Sequence, residues 1–480
     1  MHDVHGFFVG GRWRHSDQTA EIRSPFSGEL VSVVSLAGSE HAEEILETAA
    51  RAFRVTRRVP VFRKVEIFNR ILQGLSERRE EIARTITLES GKPISASRTE
   101  VDRCLFNISC AKDECQRIGG EVIPADLMPW GADRFALTRR FPVGPVLGIS
   151  PFNFPLNLSA HKVAPAFATG NTLILKPPSA CPGAALKLAE IAQAAGAPEG
   201  WLNVVPCRPE VAEIFIQDDR IKRISFTGSP GTGYRVKALS GKKPVILELG
   251  GNAAVVVHED APQELAAARI VQGGFGQAGQ SCISVQRVFV HDGIYDAFAA
   301  RLVEETEKLK VGDPLDPNTF VGPMISEEEA VRVEEWVREA VAGGARILTG
   351  GTRERAVFRP TILTDVTPEM KVSCLEVFGP VITVETYRDF EDALRRVDDS
   401  RYGLQAGIFT RDVGRIFRAF SRLEVGGVLV NDVPTFRMDH LPYGGVKESG
   451  LGREGARYAI EETTEVKVLI LNLPAGELYG

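Results

Sequence analysis

The sequence predicts an α/β protein built around two parallel sheets, and three observations lead to this fold class. From residue 143 onward, short apolar runs alternate with stretches of helical periodicity. A second alternation of the same kind begins near residue 287. The chain has 480 residues, a length that favours about three domains. Because alternating strands and helices build doubly wound sheets, each series predicts one α/β domain.

The strands of both series are apolar runs bounded by Gly, Pro or Asn. The first series contains VGPVLGIS, NTLILKPP, WLNVVP, RISFTG and PVILELGG. The second contains RVFVHD, RILTGG, PVITVETY, QAGIFT and GGVLVND. Residues 40–119, which precede both, carry apolar residues at helical spacing and predict helices.

Two strand-like segments stand outside both series, at residues 123–142 and 463–473. A hairpin and a terminal strand that join neither sheet would leave exposed edges. We therefore expect these segments to pair with another subunit.

The composition excludes several classes of protein. The 57 Lys and Arg against 63 Asp and Glu give a net charge of −6, and the basic residues are dispersed, which argues against nucleic-acid binding. Seven cysteines at irregular spacing predict reduced thiols rather than disulfides. No signal-peptide pattern and no uncharged apolar run of about 18 residues is visible. We expect a cytoplasmic protein that does not enter a membrane.

Two glycine-rich segments compete as nucleotide-binding sites. Gly274, Gly276 and Gly279 match G-x-G-x-x-G, but a helical pattern precedes them and Ser281–Cys282 follow, so the strand–turn–helix context is missing. The stretch RISFTGSPGTGYRVKALS has that context, and its small residues leave backbone N–H groups free for a pyrophosphate. An ordinary glycine-rich turn remains the alternative.

Three further residues have unusual surroundings for their type. Cys282 lies in the glycine-rich turn GQAGQSCISV, Glu248 ends an apolar strand before two glycines, and Asn153 follows another strand end between prolines. A thiolate, a carboxylate base and an amide donor suit nucleophilic catalysis. The alternative for any single cysteine is inert packing.

In this order, seven segments resemble the motifs of the aldehyde dehydrogenase superfamily: GPVLGISPFNFPL, GNTLILKPP, FTGSPGTG, LELGGNA, FGQAGQSC, LEVFGP and PYGGVKESGLGREG. The resemblance implies a Rossmann-like cofactor-binding domain (1–119 and 143–249), a second α/β catalytic domain (250–446) and a small β oligomerisation arm (120–142 and 463–480). It also implies a homodimer or homotetramer.

The resemblance assigns catalytic roles position by position. Cys282 is the implied nucleophile, Glu248 the base that activates water, and Asn153 an oxyanion donor together with the backbone N–H of Cys282. Lys162 matches a lysine near the base. The implied reaction oxidises an aldehyde to its acid through a thiohemiacetal and a thioester on the cysteine.

The implied cofactor is NAD or NADP, and no metal is expected. The family's cofactor contacts fall on Ser150, Pro151, Phe152, Lys176, Ser179, Gly228, Ser229, Gly233, Leu249, Glu376 and Phe378. Relatives that prefer NAD often carry Glu at the position of Ser179. Its absence leaves room for a 2′-phosphate beside Lys176, with Arg208 near in sequence, so we expect NADP to be accepted.

The substrate pocket is implied at eight positions: Arg103, Phe154, Leu158, His161, Ser281, Ile283, Arg437 and His440. The cationic side chains among them favour a small polar or anionic aldehyde, such as lactaldehyde, succinate semialdehyde or phosphonoacetaldehyde. Ser281 stands where relatives acting on phosphorylated aldehydes often have Arg, which argues against such substrates. The alternative is that His161 and Arg437 make structural hydrogen bonds.

Two other functions compete with this interpretation. A CoA-acylating semialdehyde dehydrogenase of the same superfamily would transfer the acyl group to CoA, but such relatives typically lack the base that Glu248 provides. A non-catalytic structural protein on the same fold would not need Cys282, Glu248 and Asn153 together.

Overall fold

The computed structural model describes residues 4–473. Short strands come first, and two of them later extend a large sheet. These are β1 (Val4–His5), β2 (Phe7–Val9), β3 (Arg12–Arg14), β4 (Thr19–Arg23) and β5 (Leu30–Ser35). Four helices follow, namely α1 (Ala42–Thr56), α2 (Val61–Glu77), α3 (Arg79–Ser90) and α4 (Ile94–Cys115). The long helical pattern over residues 63–90 is thus two helices, because the backbone leaves helical geometry at Arg78 (φ −101°, ψ 17°).

The first strand–helix series forms an eight-stranded sheet. After β6 (Val122–Pro124) and β7 (Arg134–Pro142), its elements are β8 (Val146–Ile149), α5 (Asn157–Thr169), β9 (Leu173–Lys176), α6 (Gly183–Ala194), β10 (Leu202–Val204), α7 (Pro209–Gln217), β11 (Arg223–Thr227), α8 (Pro230–Leu239) and β12 (Val245–Glu248). Strands β12, β11, β8, β9 and β10 are parallel neighbours, and β2 and β3 add antiparallel strands at one edge.

The second series forms a seven-stranded sheet. Its elements are β13 (Ala253–Val257), α9 (Gln263–Phe275), β14 (Val285–His291), α10 (Tyr295–Glu307), α11 (Glu327–Ala342), β15 (Arg346–Thr349), β16 (Arg353–Glu354), β17 (Val357–Phe358), β18 (Thr361–Thr364), α12 (Lys371–Cys374), β19 (Val381–Tyr387), α13 (Phe390–Asp398), β20 (Tyr402–Gly403), β21 (Gln405–Phe409), α14 (Val413–Arg422) and β22 (Gly427–Val430). The order is β15-β18-β19-β14-β13-β21-β22, parallel except at β15.

The last elements return to earlier parts of the chain. They are β23 (Val446–Lys447), β24 (Gly450–Leu451), α15 (Ala456–Glu462) and β25 (Thr464–Asn472). Strand β24 pairs with β12 at the edge of the first sheet. This pairing brings the segment around residues 443–454 next to Glu248.

Strand β25 pairs with β7 over nine residues, and β6 completes a separate three-stranded sheet. The two segments predicted to stand outside both series therefore lie side by side. Most of β25 is exposed although it is apolar, with Val466, Val468 and Ile470 52–59% exposed. Residues 474–480 of the predicted arm lie outside the described residues.

Helices cover both faces of each large sheet, with separate apolar cores on each face. The predicted α/β fold class is confirmed. The G-x-G-x-x-G segment lies at the end of α9 and in the 3₁₀ turn Gly276–Gly279, with no strand before it, so it is not a dinucleotide fingerprint. Among residues 4–473, no helix combines the length and the apolarity needed to cross a membrane.

Candidate active site

One cavity of about 270 Å³ contains most of the residues that the sequence singled out for chemistry. Its walls come from α4, from the start of α5, from the loop before β14 and from residues 435–454. The predicted residues on its wall are Arg103, Asn153, Phe154, Leu158, Glu248, Ser281, Cys282, Ile283 and Arg437.

Cys282 lies on the cavity wall directly above the amino end of β14. Its Sγ lies 3.0 Å from the hydroxyl oxygen of Tyr443. Burial raises the pKa of the thiol to about 12, whereas the Tyr443 hydrogen bond lowers it. The thiol is therefore protonated at neutral pH until something stabilises the thiolate.

The loop that carries Cys282 is tied to the loop that carries Asn153. The Asn153 side-chain amide donates to the backbone oxygen of Gln280 at 3.1 Å, and the Gln277 amide donates back to the Asn153 carbonyl. Gln277 and Ala278 adopt left-handed backbone angles (φ 54° and 53°), which are uncommon for residues other than glycine. An amide nitrogen has two N–H groups, so one remains for a ligand in the cavity.

Glu248 is a buried carboxyl at the end of β12, and neither of its oxygens has a hydrogen-bond partner among the described residues. Burial, and then the charge of Glu454, raise its pKa well above the usual range. The Lys162 Nζ lies 2.8 Å from Thr227 Oγ1 and 3.4 Å from Glu454 Oε1. Glu248 and Glu454 therefore lie near the same cations, and it is Glu454 that accepts the hydrogen bond from Lys162.

The predicted substrate cations are held by two carboxylates. Arg103 makes a two-pronged contact with Asp439 (2.8 and 3.1 Å), and His161 Nε2 lies 2.9 Å from the same carboxylate. Arg437 donates to Glu454 at 3.0 Å and lies 3.6 Å above the Tyr443 ring. These contacts support the alternative that His161 makes structural hydrogen bonds.

The prediction that His161 lines the aldehyde pocket is corrected by the structure. Its side chain is buried behind Arg437 and Asp439 and forms no part of the cavity wall. Burial lowers its pKa, so the ring is neutral. His440 is also absent from the wall, because it is exposed and packs edge-on against Phe106 at 5.6 Å.

The apolar part of the pocket is built at the start of α5. Glu100 accepts hydrogen bonds from the backbone N–H groups of Leu156 and Asn157 (2.9 and 3.1 Å), which fixes the entry to this helix. Glu100 is itself paired with buried Lys92. The Phe154 ring lies 4.1 Å below the Lys92 ammonium.

The predicted cofactor residues lie along one edge of the first sheet. In the strand register Ile149 faces Lys176, and Thr227 faces Glu248. The residues that follow these strand ends therefore share the carboxyl edge, where open α/β sheets bind ligands. They include Ser150, Pro151, Phe152, Gly228, Ser229 and Leu249.

Small residues at this edge leave room for a nucleotide to approach the backbone. Gly233 lets the start of α8 pack closely on Leu249, where a Cβ would clash, and the first turn of α8 has no acidic residue. Ser229 precedes α8, so the helix N-terminus faces this edge, a geometry that suits a pyrophosphate. The residues present thus fit an NAD(P) cofactor.

Two predicted cofactor contacts come from the second series. Glu376 accepts a hydrogen bond from the backbone N–H of Gly251 at 2.9 Å, and burial raises its pKa to about 7. Phe378 meets the Phe152 ring edge-to-face at 5.8 Å. The segment LEVFGP is therefore brought against the cofactor edge of the first sheet.

Lys176 and Ser179 are neighbours in space as well as in sequence. Ser179 is exposed, and its Oγ lies 3.3 Å from the half-buried Lys176 ammonium. Arg208 is exposed at the start of α7.

Sequence reasoning missed Tyr443, Glu454 and Asp439, which contact Cys282, Lys162 and His161 respectively. Tyr443 and Glu454 lie in PYGGVKESGLGREG, a segment singled out as a whole, so its polar residues were the available signal. For Asp439 no such signal exists, because its partners Arg103 and His161 are about 300 residues away in sequence.

This fold and this thiol-lined cavity beside a nucleotide edge define an NAD(P)-dependent oxidoreductase. The chain matches the aldehyde dehydrogenase family over residues 13–469. It is 43% identical over 470 residues to a 3-sulfolactaldehyde dehydrogenase of Priestia aryabhattai, covering 98% of each chain.

Two solved structures are similar over nearly the whole chain. Aldehyde dehydrogenase 21 of Physcomitrella patens, in complex with the reaction product succinate, has a TM-score of 0.97 and 39% identity, covering 99% of this chain and 100% of its own. An NADP-dependent glyceraldehyde-3-phosphate dehydrogenase of Bacillus halodurans C-125, complexed with NADP, has a TM-score of 0.96 and 35% identity, covering 98% and 100%. The chain belongs to the aldehyde dehydrogenase family and oxidises aldehydes to acids with NAD(P).

Proposed function

We propose that this enzyme oxidises a short anionic aldehyde without transferring the acyl group to CoA. The charge balance around the cavity carries the proposal. Arg103, Arg437, Lys162 and Lys92 face the carboxylates Glu100, Asp439 and Glu454. Four cationic groups thus face three carboxylates, each of which is paired, and burial raises the pKa of the remaining carboxyl, Glu248, well above its usual range.

Arg437 is the residue that we propose recognises the anion. It lines the cavity, and its buried Nε has no hydrogen-bond partner among the described residues, although Asp439 Oδ1 lies 3.7 Å from it. A buried donor without an acceptor costs about 1–3 kcal/mol, which an anionic oxygen of the substrate would recover. The names of two similar proteins fit this chemistry, since sulfolactaldehyde carries a sulfonate and succinate a second carboxylate.

In the proposed mechanism Cys282 attacks the aldehyde carbon as the thiolate. The Tyr443 hydroxyl stabilises the thiolate through its hydrogen bond to Sγ, and the Arg437 guanidinium above the Tyr443 ring adds a nearby positive charge. The second N–H of the Asn153 amide and the backbone N–H of Cys282 receive the developing oxyanion. Lys176, Ser179 and the edge around Gly228 would hold NAD(P), which when bound would supply the hydride acceptor.

Glu248 then acts on water in the second step. Its oxygens have no hydrogen-bond partner among the described residues, so in the carboxylate form Glu248 is available to bind a water molecule near the Cys282 thioester and to take its proton. Lys162 is proposed to hold Glu454 rather than Glu248. We place the cofactor-binding domain at 1–119 and 143–249, and the catalytic domain at 250–446.

We also propose that the enzyme self-associates as a dimer or tetramer. The sheet of β6, β7 and β25 exposes apolar side chains on both faces, and α14 exposes Val413, Phe417 and Phe420 at 63–69%. Strand β22 is an uncovered edge of the second sheet within the described chain. Apolar surfaces of this kind mark sites of protein association.

The test of the substrate proposal compares aldehydes of equal length. We expect succinate semialdehyde and sulfolactaldehyde to give NAD(P)H with kcat/KM at least tenfold above that of butyraldehyde. In Arg437→Met, KM for the anionic aldehydes should rise about ten- to a hundredfold, the value of one charge-assisted hydrogen bond. Butyraldehyde kinetics should change little.

Two controls make this test specific. Arg346→Met removes an arginine that is 67% exposed at the far edge of the second sheet and should leave all substrates unchanged. His161→Leu should affect charged and neutral aldehydes equally, because His161 does not reach the cavity. Equal losses on both substrate classes in Arg437→Met, or formation of acyl-CoA when CoA is added, would contradict the proposal.

A further inference from the structure

Two histidines and a glutamate meet at the carboxyl edge of the second sheet, away from the catalytic cavity. His258 and Glu259 follow β13, and His291 ends β14. The two strands are parallel neighbours in register, with Val257 beside Val290, which places the histidines side by side. One nitrogen of each ring and one Glu259 oxygen lie within 4.8 Å of one another.

His258 presents an unused nitrogen to this cluster. Its side chain is buried, and its Nδ1 lies 2.7 Å from the Tyr387 hydroxyl. That hydroxyl also lies 3.5 Å from the Val257 carbonyl, so it can donate to this carbonyl while it accepts the proton of the Nδ1–H tautomer of His258. In that tautomer the lone pair is on Nε2, which is buried and has no hydrogen-bond partner among the described residues.

The two groups that face His258, the His291 ring and the Glu259 carboxylate, are acceptors as well. His291 Nδ1 accepts a hydrogen bond from the backbone N–H of Gly293 at 3.2 Å, so it carries no proton. It lies 3.8 Å from one Glu259 oxygen, and His258 Nε2 lies 4.0 Å from the other. Three acceptors thus converge, and the donor at His291 Nδ1 is the exposed backbone N–H of Gly293. A cation at this position would replace that N–H on the Nδ1 lone pair and leave the N–H to water.

Nearby charged groups do not fill this position. Arg388 pairs with Asp292 at 2.6 Å, and Arg415 lies 3.6 Å from Asp260. Ligands at about 2.1 Å in a tetrahedral zinc site are about 3.4 Å apart. His291 Nδ1 lies 3.8 Å from one Glu259 oxygen and His258 Nε2 lies 4.0 Å from the other, whereas the three ligand atoms lie within 4.8 Å of one another. Binding therefore needs rotation of the exposed Glu259 side chain and a closer approach of the two rings.

We propose that His258, Glu259 and His291 bind a divalent transition metal ion of the zinc class, with water as the fourth ligand. Two imidazoles and a carboxylate are a ligand set that zinc uses. Tyr387 orients the His258 ring as an outer partner. The site is structural, because β14 separates it from Cys282 by six residue steps, about 20 Å. The ion would hold the carboxyl ends of β13 and β14 together.

The test uses Co²⁺ as a spectroscopic probe on the purified full chain treated with chelator. We expect one equivalent to bind with the visible absorption of tetrahedral nitrogen and oxygen ligation. Co²⁺ or Zn²⁺ should also raise the Tm, since an ion that binds the folded state stabilises it. The sulfur-to-cobalt band in the near ultraviolet separates this site from binding to Cys282 or Cys374.

Variants define which residues bind the ion. His291→Ala and Glu259→Gln should each weaken Co²⁺ binding at least a hundredfold. Tyr387→Phe keeps the packing and should weaken it about ten- to a hundredfold, as loss of an outer partner does. His5→Ala, at an exposed histidine of β1, is the control and should bind normally.

Three results would overturn the proposal. They are no saturable binding of Co²⁺ at one equivalent, unchanged binding in both His291→Ala and Glu259→Gln, and a sulfur charge-transfer band as the main signal. Because the readouts are absorption and Tm, failure here is independent of the proposed aldehyde substrate.

Discussion

Replacing Ser179 by Glu should strongly lower kcat/KM for NADP while leaving kcat/KM for NAD nearly unchanged. Ser179 is exposed, with its Oγ 3.3 Å from the Lys176 ammonium at the carboxyl end of β9. A 2′-phosphate placed there can accept from both groups. In Ser179→Glu the carboxylate would pair with Lys176 and face the phosphate.

The magnitude follows from two effects. Loss of one charge-assisted hydrogen bond costs about 1.5–3 kcal/mol, roughly ten- to a hundredfold in affinity. Repulsion between a carboxylate and a doubly charged phosphate about 6 Å apart adds about 1–2 kcal/mol at the high dielectric of an exposed site. We therefore expect kcat/KM for NADP to fall about a hundredfold and that for NAD to stay within about threefold.

The assay measures kcat/KM for both cofactors at one saturating aldehyde concentration. The native enzyme should use NADP at least comparably with NAD. Ser76→Glu adds the same charge at an exposed position of α2 and should change neither value. A hundredfold native preference for NAD, or undiminished NADP activity in Ser179→Glu, would refute the reasoning.

The remaining predictions concern the thiol, the base and assembly. Cys282→Ala should abolish oxidation of every aldehyde while cofactor binding, measured by fluorescence, persists. Glu248→Gln should slow turnover and leave an acyl-enzyme visible by intact mass; full activity in either variant would contradict the mechanism. Tyr443→Phe removes the hydrogen bond that lowers the pKa of the thiol, so the pH profile of thiol alkylation should shift to higher pH. Val468→Glu, on the exposed face of β25, should reduce the mass measured by light scattering.

Much of the first sheet could be predicted because its strands are separated by glycine, proline and helices. The interior strand β13 of the second sheet was not predicted, although Ala253–Val257 is fully apolar and buried. The reason is local: it follows Glu248 after only four residues, so LELGGNAAVVV reads as one apolar run with a glycine break. Periodicity alone cannot divide such a run between two sheets.

The residues of the candidate site also differ in whether the sequence alone could predict them. Cys282, Glu248 and Asn153 stood out because each residue type is costly or unusual in its own local context. Asp439 did not, because its function depends on Arg103 and His161, which only the folded chain brings to it. Sequence reasoning therefore found cations in the pocket but not the carboxylates that neutralise them. The sequence therefore predicted that His161 contacts the substrate, whereas in the structure its side chain contacts Asp439 behind the cavity wall.

The relation between Glu248 and Glu454 shows why such pairing matters for chemistry. Glu454 accepts from Lys162 and Arg437, and its pKa falls to about 2 even though burial acts in the opposite direction. Glu248 shares the cavity, has no partner among the described residues, and is raised by burial and by Glu454. When the environments of two carboxyls drive their pKa values apart, one carboxyl stays charged and the other can exchange protons. Glu454 thus keeps the cations in place, and Glu248 is left free to take a proton from water.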